Sequence, residues 1–525
     1  MAKKGNLTKG EQELTEARWL VFVRSFDDKA ALLRSLVLNS LLVAMLAVSL
    51  PILFVELTTD RVAIAPLSVP SEIEQSGLTG TVVANRLWDA WAKLNTEVAI
   101  AKETRDVLPS SQRIEFSIPD SGFSFDSLIH HLRSFFGFHD TTLSGEMVCA
   151  ADPCSRRELS LRLRVIDKDL HVVQLPAMGD TPEDIYWRKA ISEVMLVIDP
   201  VRGILATRLI NAGHEGTDAR AIAELRKLVR DAHPDSNWAL AYAGSLLSES
   251  GDAAAARESF DNALKSNPKF VFALRLRANA EMRAENFEAA KKSIVQALEI
   301  SPDDAASLMQ FAMIEARLGA ISSAETAYAK AASIKPNWPQ IPLNLGAMYT
   351  RGGNNVAANA AYRKAIEIDP DFIDAHELLA LSASMDKDFA EAIVHQQTIV
   401  RLMPDDAEAQ DRLGKFFEGS RDLNAALAAY QKAASLAPSY ARYAQRQGVV
   451  LLKQEKPALA LEQLVKAQEL DSKLEDVWFN IGDAYGALNR KAEAKIAYEN
   501  YMKQEPEGLW FPVAQAKIKN LEKEQ

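Results

Sequence analysis

Two cysteines and a handful of histidines are the side chains whose spacing could support chemistry in this 525-residue chain. Cys149 and Cys154 sit in CAADPC, without the C-x-x-C spacing of a redox dithiol. Outside the cytosol, a lone close pair of this kind reads as a disulfide. Two cysteines in total also exclude a four-cysteine zinc or iron–sulfur site. His130 and His131 are adjacent, so on a helix they diverge by about 100° and do not chelate one ion together. His139 and His171 have no carboxylate or cysteine at a ligand spacing, and they read as surface or hydrogen-bonded core residues. The chain has no G-x-S-x-G, H-E-x-x-H, Walker-type or dinucleotide glycine pattern, and Gly80 in GLTGTVV is a single glycine turn. The expectation is therefore a protein without catalytic residues, metal site or cofactor, which works by binding.

The elements that must position any binding surface begin with an apolar run. Residues 35–55, SLVLNSLLVAMLAVSLPILFV, carry no charged side chain, and a helix of that length spans a roughly 30 Å hydrocarbon core. This predicts one transmembrane helix. The tail 1–34 has seven basic and five acidic residues, 7 − 5 = +2, and Arg61 is the one basic residue in the twenty that follow the run. The positive-inside rule then keeps 1–34 in the cytosol and exports the rest. The chain's net charge of −11 leaves about −13 on that exported portion. A pI near 5.4 argues against nucleic acid as a partner. The exported part lacks an N-x-[ST] sequon, and Asn6-Leu7-Thr8 lies in the tail, which favours a bacterial inner membrane with the bulk of the chain in the periplasm.

Residues 57–200 read as a small α+β domain with a mostly antiparallel sheet. Strands are expected over 61–69, 113–120, 142–149, 158–167 and 170–177, and helices over 78–99, 124–137 and 181–199.

Beyond this domain the chain repeats. Pro234, Pro268, Pro302, Pro336, Pro370, Pro404, Pro438, Ser472 and Pro506 fall 34 residues apart, so 237–508 divides into eight units, 8 × 34 = 272. The eighth position is small throughout: Gly244, Ala278, Ala312, Gly346, Ala380, Gly414, Gly448 and Gly482. The twentieth is alanine in all eight units, from Ala256 to Ala494. Phe260, Tyr328, Tyr362, Tyr430 and Tyr498 follow four residues later. Small residues facing larger ones are what two closely packed helices need. Trp478, Ile481, Gly482, Tyr485, Ala494, Tyr498 and Pro506 complete the pattern in the last unit, and the array resembles the tetratricopeptide family. The fold class expected is mainly α, a right-handed tetratricopeptide α-solenoid preceded by the α+β domain and the single transmembrane helix. Residues 201–236 read as a divergent linking repeat, and 509–525 as a C-terminal cap helix. In the fifth unit Gln396 and Ile399 replace the usual aromatic and alanine, which marks it as a loose point or bend.

The resemblance implies a concave groove, formed by the first helices, that takes a protein or peptide segment. The groove positions it assigns are Phe272, Arg275, Asn279, Met282, Met309, Gln310, Met313, Gln340 and Asn344. Basic and amide side chains there would hold a ligand's C-terminal carboxylate, while the same residues also read as solvated groove positions with the methionines packing. The function expected is a membrane-anchored extracytoplasmic scaffold or adaptor in a cell-envelope complex. Two alternatives stand beside it: a sensor whose middle domain binds a small ligand, and an accessory factor in export or surface-polysaccharide assembly.

Overall fold

The computed structural model describes residues 61–98, 106–109, 135, 141–149, 154–167 and 169–523. Two compact units divide the chain, Met1–Ser266 and Asn267–Gln525.

The first unit holds five strands, β1 Arg61–Ile64, β2 Asp106–Pro109, β3 Thr141–Cys149, β4 Leu159–Ile166 and β5 Leu170–Leu175. Its helices are α1 Ser71–Glu74, α2 Gly80–Val98, α3 Glu183–Ile198, α4 Pro200–Ile210, α5 Thr217–Arg230, α6 Ser236–Glu249 and α7 Ala253–Ser266. The strand order is β2-β1-β3-β4-β5. β1 runs parallel to both β2 and β3, and β3–β4 and β4–β5 are antiparallel, so the sheet is mixed rather than mostly antiparallel. The reason lies in α2, which carries the chain across from β1 to β2, since a helical crossover joins parallel strands. β1 also stops short of the expected 61–69, because Pro66 offers no N–H to a ladder. The expected strand 113–120, and helix 124–137 apart from residue 135, lie outside the described residues.

Period-two burial in β4 puts Leu159, Leu161, Leu163 and Val165 on one face, against Leu87, Trp91 and Leu94 of α2 and Tyr186, Ile191 and Val194 of α3. Gly80 opens α2 where a Cβ would stand 1.9 Å from the Leu67 carbonyl oxygen, so the turn requires glycine. The core extends through Ala206 of α4. Buried Arg202 is answered by Asp199, the N-cap of α4, and by Asn95 Oδ1 at 2.8 Å. Cys149 and Cys154 form a disulfide that ties the end of β3 to the approach to β4.

The fold class needs one correction. Among the described residues, no helix is long and apolar enough to cross a membrane. The 19-residue α2 is one-sided, with Arg86, Asp89, Lys93 and Glu97 along its length. The expected transmembrane run 35–55 lies outside the described residues. What is seen is a mainly helical repeat array with a small mixed sheet.

The second unit contains seven helix pairs: α8 Val271–Arg283 with α9 Phe287–Ile300, α10 Ala305–Arg317 with α11 Ile321–Ile334, α12 Gln340–Arg351 with α13 Asn355–Ile368, α14 Ile373–Met385 with α15 Phe389–Leu402, α16 Ala407–Gly419 with α17 Leu423–Leu436, α18 Ala441–Lys453 with α19 Pro457–Leu470, and α20 Val477–Ala487 with α21 Lys491–Gln504. α22, Phe511–Lys523, follows. The repeat columns of the sequence meet in space. A Cβ on Gly346 would stand 2.4 Å from Tyr362, and one on Gly414 or Gly482 2.5 Å from Tyr430 or Tyr498. The twentieth-position alanines are all buried. Each first helix ends on a residue with positive φ at the same place in its repeat: Gly319 and Gly353, but also Glu285, Lys387, Arg421, Glu455 and Asn489. Asn354, Asp388 and Asp422 then cap the second helices by accepting from the backbone N–H three residues on.

The fifth repeat adds polar contacts to a buried apolar seam that includes Leu379, Ala392 and Ile399. Gln396 is 1% exposed, and its Nε2 donates to the Ala409 carbonyl of the next repeat at 2.9 Å. His376 stands where the last repeat has Trp478, and its ring meets His395.

Candidate functional site

In the second unit the first helices of successive repeats touch, α8 with α10, α10 with α12 and α18 with α20, so their outer faces form one surface. The sequence-derived positions on α8, α10 and α12 are partly joined there. Gln310 is 8% exposed because its Nε2 donates to the Arg275 carbonyl at 2.8 Å, which spends the amide on holding α10 to α8. Asn344 Nδ2 lies 3.3 Å from Met309 Sδ, linking α12 to α10. Arg275 is 4.0 Å from Asp304, whose carboxylate accepts from the Ser307 backbone N–H at the start of α10. Met309 and Met313 pack against the cluster that holds Leu308, Ala312, Tyr328 and Ile341. Phe272 is half-buried beside Phe270, at 6.0 Å between ring centroids. Met282 is half-buried, Asn279 is exposed, and neither is drawn into the contacts that join Arg275, Gln310, Met309 and Asn344.

Gln340 Oε1 is buried and accepts no hydrogen bond. An unmet buried acceptor of this kind costs about 1–3 kcal/mol. The strip offers a partner exposed Asn279 and the half-buried side chains of Phe272, Met282, Met309 and Met313.

The sequence reading missed the continuation of this surface. Glu377 on α14 takes Arg412 of α16 at 3.0 Å, and Asp411, 5% exposed, is held by Lys415 and Arg446, each at 2.7 Å. Glu377, Asp411, Arg412 and Arg446 fall in the same two columns as Arg275 and Gln310, 34 residues apart, so the period itself was the signal. Their charges neutralise one another, in contrast to the amide- and methionine-rich α8–α12 stretch. Leu381 and Met385, at 55% and 72% exposure on α14, lie between the two regions as open apolar surface.

Elsewhere, a cleft of about 460 Å³ lies between α2 and α3, lined by Arg86, Asp89, Lys93, Glu183, Trp187 and Arg188. Arg86 pairs with Glu183 and Arg188 with Glu97, so much of its charge is answered within the fold. His171 is exposed on β5; His130, His131 and His139 lie outside the described residues. Among the described residues, no group of three potential ligands could hold a metal ion.

Known proteins place the array. Tetratricopeptide-repeat family profiles match residues 242–290, 275–340, 343–372, 407–440 and 475–507. The matches step over 373–406, the repeat with His376 and Gln396, and over 441–474. The array is thus made of tetratricopeptide repeats, a scaffold suited to protein–protein interaction. No curated protein matches the chain. Among solved structures, the MamA fragment from Desulfovibrio magneticus is 22% identical, with 33% of this chain and 98% of that one covered at a TM-score of 0.29. A tetratricopeptide-repeat protein from Parabacteroides merdae is 18% identical, covering 50% of this chain and 99% of its own, at 0.30.

Proposed function

We propose that this chain, built around tetratricopeptide repeats, is a non-enzymatic adaptor that binds an extended segment of a partner protein across α8, α10 and α12. The observation that supports the reading is the strip from Arg275 to Asn344, whose amides join successive first helices and leave Phe272, Met282, Met309 and Met313 half-buried along it. Half-buried methionines adapt to whatever side chains a partner segment presents. Ion pairing farther along, among Glu377, Asp411, Arg412 and Arg446, directs a neutral or mildly amphipathic segment to the α8–α12 end. The compartment proposed is oxidising and extracytoplasmic, the bacterial periplasm, with support from the Cys149–Cys154 bridge. The adaptor there serves a cell-envelope assembly.

A photo-crosslinking residue at exposed Asn279 tests the site against one at exposed Ile496 on a second helix. The expected result is a discrete adduct from Asn279 alone, reduced at least tenfold by Arg275→Glu with Asn344→Ala. Equal adducts from both positions, or an adduct indifferent to the double substitution, would overturn the reading.

A further inference from the structure

The fifth repeat contains a buried pair of titratable rings that a binding groove does not call for. His376 on α14 and His395 on α15 meet Nδ1 to Nδ1 at 3.0 Å, with ring centroids 5.1 Å apart. His376 is 6% exposed. Its Nε2 lies 3.0 Å from the Pro370 carbonyl, which accepts and cannot donate, so Nε2 carries a proton. In the neutral ring Nδ1 is then an acceptor, and the proton between the rings belongs to His395 Nδ1. His395 Nε2 faces Glu391 Oε1 at 3.7 Å, and Arg363 of α13 holds that same carboxylate oxygen at 2.8 Å. From the next repeat α16 contributes the Ala409 carbonyl, taken by Gln396. The charged groups that face the rings are thus Glu391 and Arg363.

The proton count has a limit. One extra proton fits on His395 Nε2, next to Glu391. A further one has to go on His376 Nδ1, which sets N–H against N–H at 3.0 Å between two cations in a buried site. We propose that the His376–His395 pair is a proton-operated joint, closed while the rings share a proton and opened between α14 and α15 when both rings are charged. Because a repeat array is held by contacts between neighbours, opening one pair divides the array at that point without unfolding the flanking repeats. The joint is a property of the fifth repeat whether or not the groove takes a peptide.

The direction of the pH effect follows from the surroundings. Burial, and then the neighbouring His376, hold His395 below the ordinary imidazole value of 6.5, against the pull of Glu391. A folded-state value below the unfolded one means that the unfolded repeat binds the proton more tightly. His395 thus contributes stability that is present above 6.5 and lost as the pH falls below it, and the second proton, which opens the joint, adds to that loss.

Hydrogen–deuterium exchange on the full chain at pH 7.5 and 5.0, corrected for the intrinsic rate, tests the joint. Amides of α14 and α15 should lose about tenfold more protection on acidification than those of α10 and α11. His395→Gln keeps a side-chain amide donor for His376 and does not titrate, so it should remove that excess. The same excess in His395→Gln, or none in the wild type, overturns the proposal. If His395→Gln does not fold, histidine-labelled wild-type protein decides by NMR. Coupled titration of the two rings supports the joint, and two independent single-site curves near 6.5 refute it.

Discussion

A methyl group on Gly346 would land 2.4 Å from Tyr362 Cε1, and the ring is fixed by the Tyr362–Thr350 hydroxyl contact at 2.8 Å. Gly346→Leu should therefore destabilise the array by about 1–3 kcal/mol or more, read from the urea midpoint at unchanged m-value. The opposite sign is expected at the helix ends. Lys387 and Glu455 sit at φ 63° and 61°, a region where a Cβ costs roughly 1 kcal/mol, so Lys387→Gly or Glu455→Gly should raise the midpoint by up to that amount. A fall would mean that their side chains contribute more than the backbone strain costs. The glycine column was legible in the sequence because its period is strict. The left-handed positions at Glu285, Lys387, Arg421 and Glu455 were not, since no residue type there announces them. The roles of Gln310 and Gln396 were hidden for a related reason. An amide reads as surface until the carbonyl it serves, Arg275 or Ala409, is known to lie beside it.

Among the elements, α22 covers the helix pair before it. Phe479 of α20 stacks on Trp510 at 5.4 Å and meets Tyr501 at 5.5 Å, while Lys517 reaches Asp483 at 2.5 Å. Truncation after residue 508 exposes Phe479 and Tyr501 and should cost the last repeat about 2–4 kcal/mol, visible as early loss of protection in α20 and α21. Uniform exchange along the truncated array would show that α22 caps nothing. In the sheet, residue patterning placed a strand over 158–167, where β4 lies, but pairing direction depended on where α2 returned the chain.

Over the whole molecule, the two units should respond differently to reduction. The Cys149–Cys154 bridge closes a short loop, with a separation of 5, and removal of such a closure costs about 2 kcal/mol. A reductant should lower the thermal midpoint of the first unit and leave the second unchanged, which calorimetry of the full chain resolves. A common shift of every transition would contradict that independence. Alkaline titration gives a second handle on the first unit. Burial pushes the Tyr186 hydroxyl, which donates to the Pro176 carbonyl at 2.9 Å, up to about 12 from 10.0. The folded value exceeds the unfolded one, so this contribution is intact below pH 10 and disappears as the pH rises towards 12.

The sequence by itself determined the repeat length, the helix-pair architecture and the face each helix buries, because these follow from local periodicity that every unit restates. It also nominated the first-helix columns that form the surface. What the tertiary structure decided was how those columns are spent: Gln310 on a neighbour's backbone, Asp411 in an ion-pair cluster, His376 against His395, and Gln340 Oε1 on nothing within the fold. Such pairings join residues 19 to 35 positions apart. Their energy depends on distance and burial, which the order of residues along the chain does not contain.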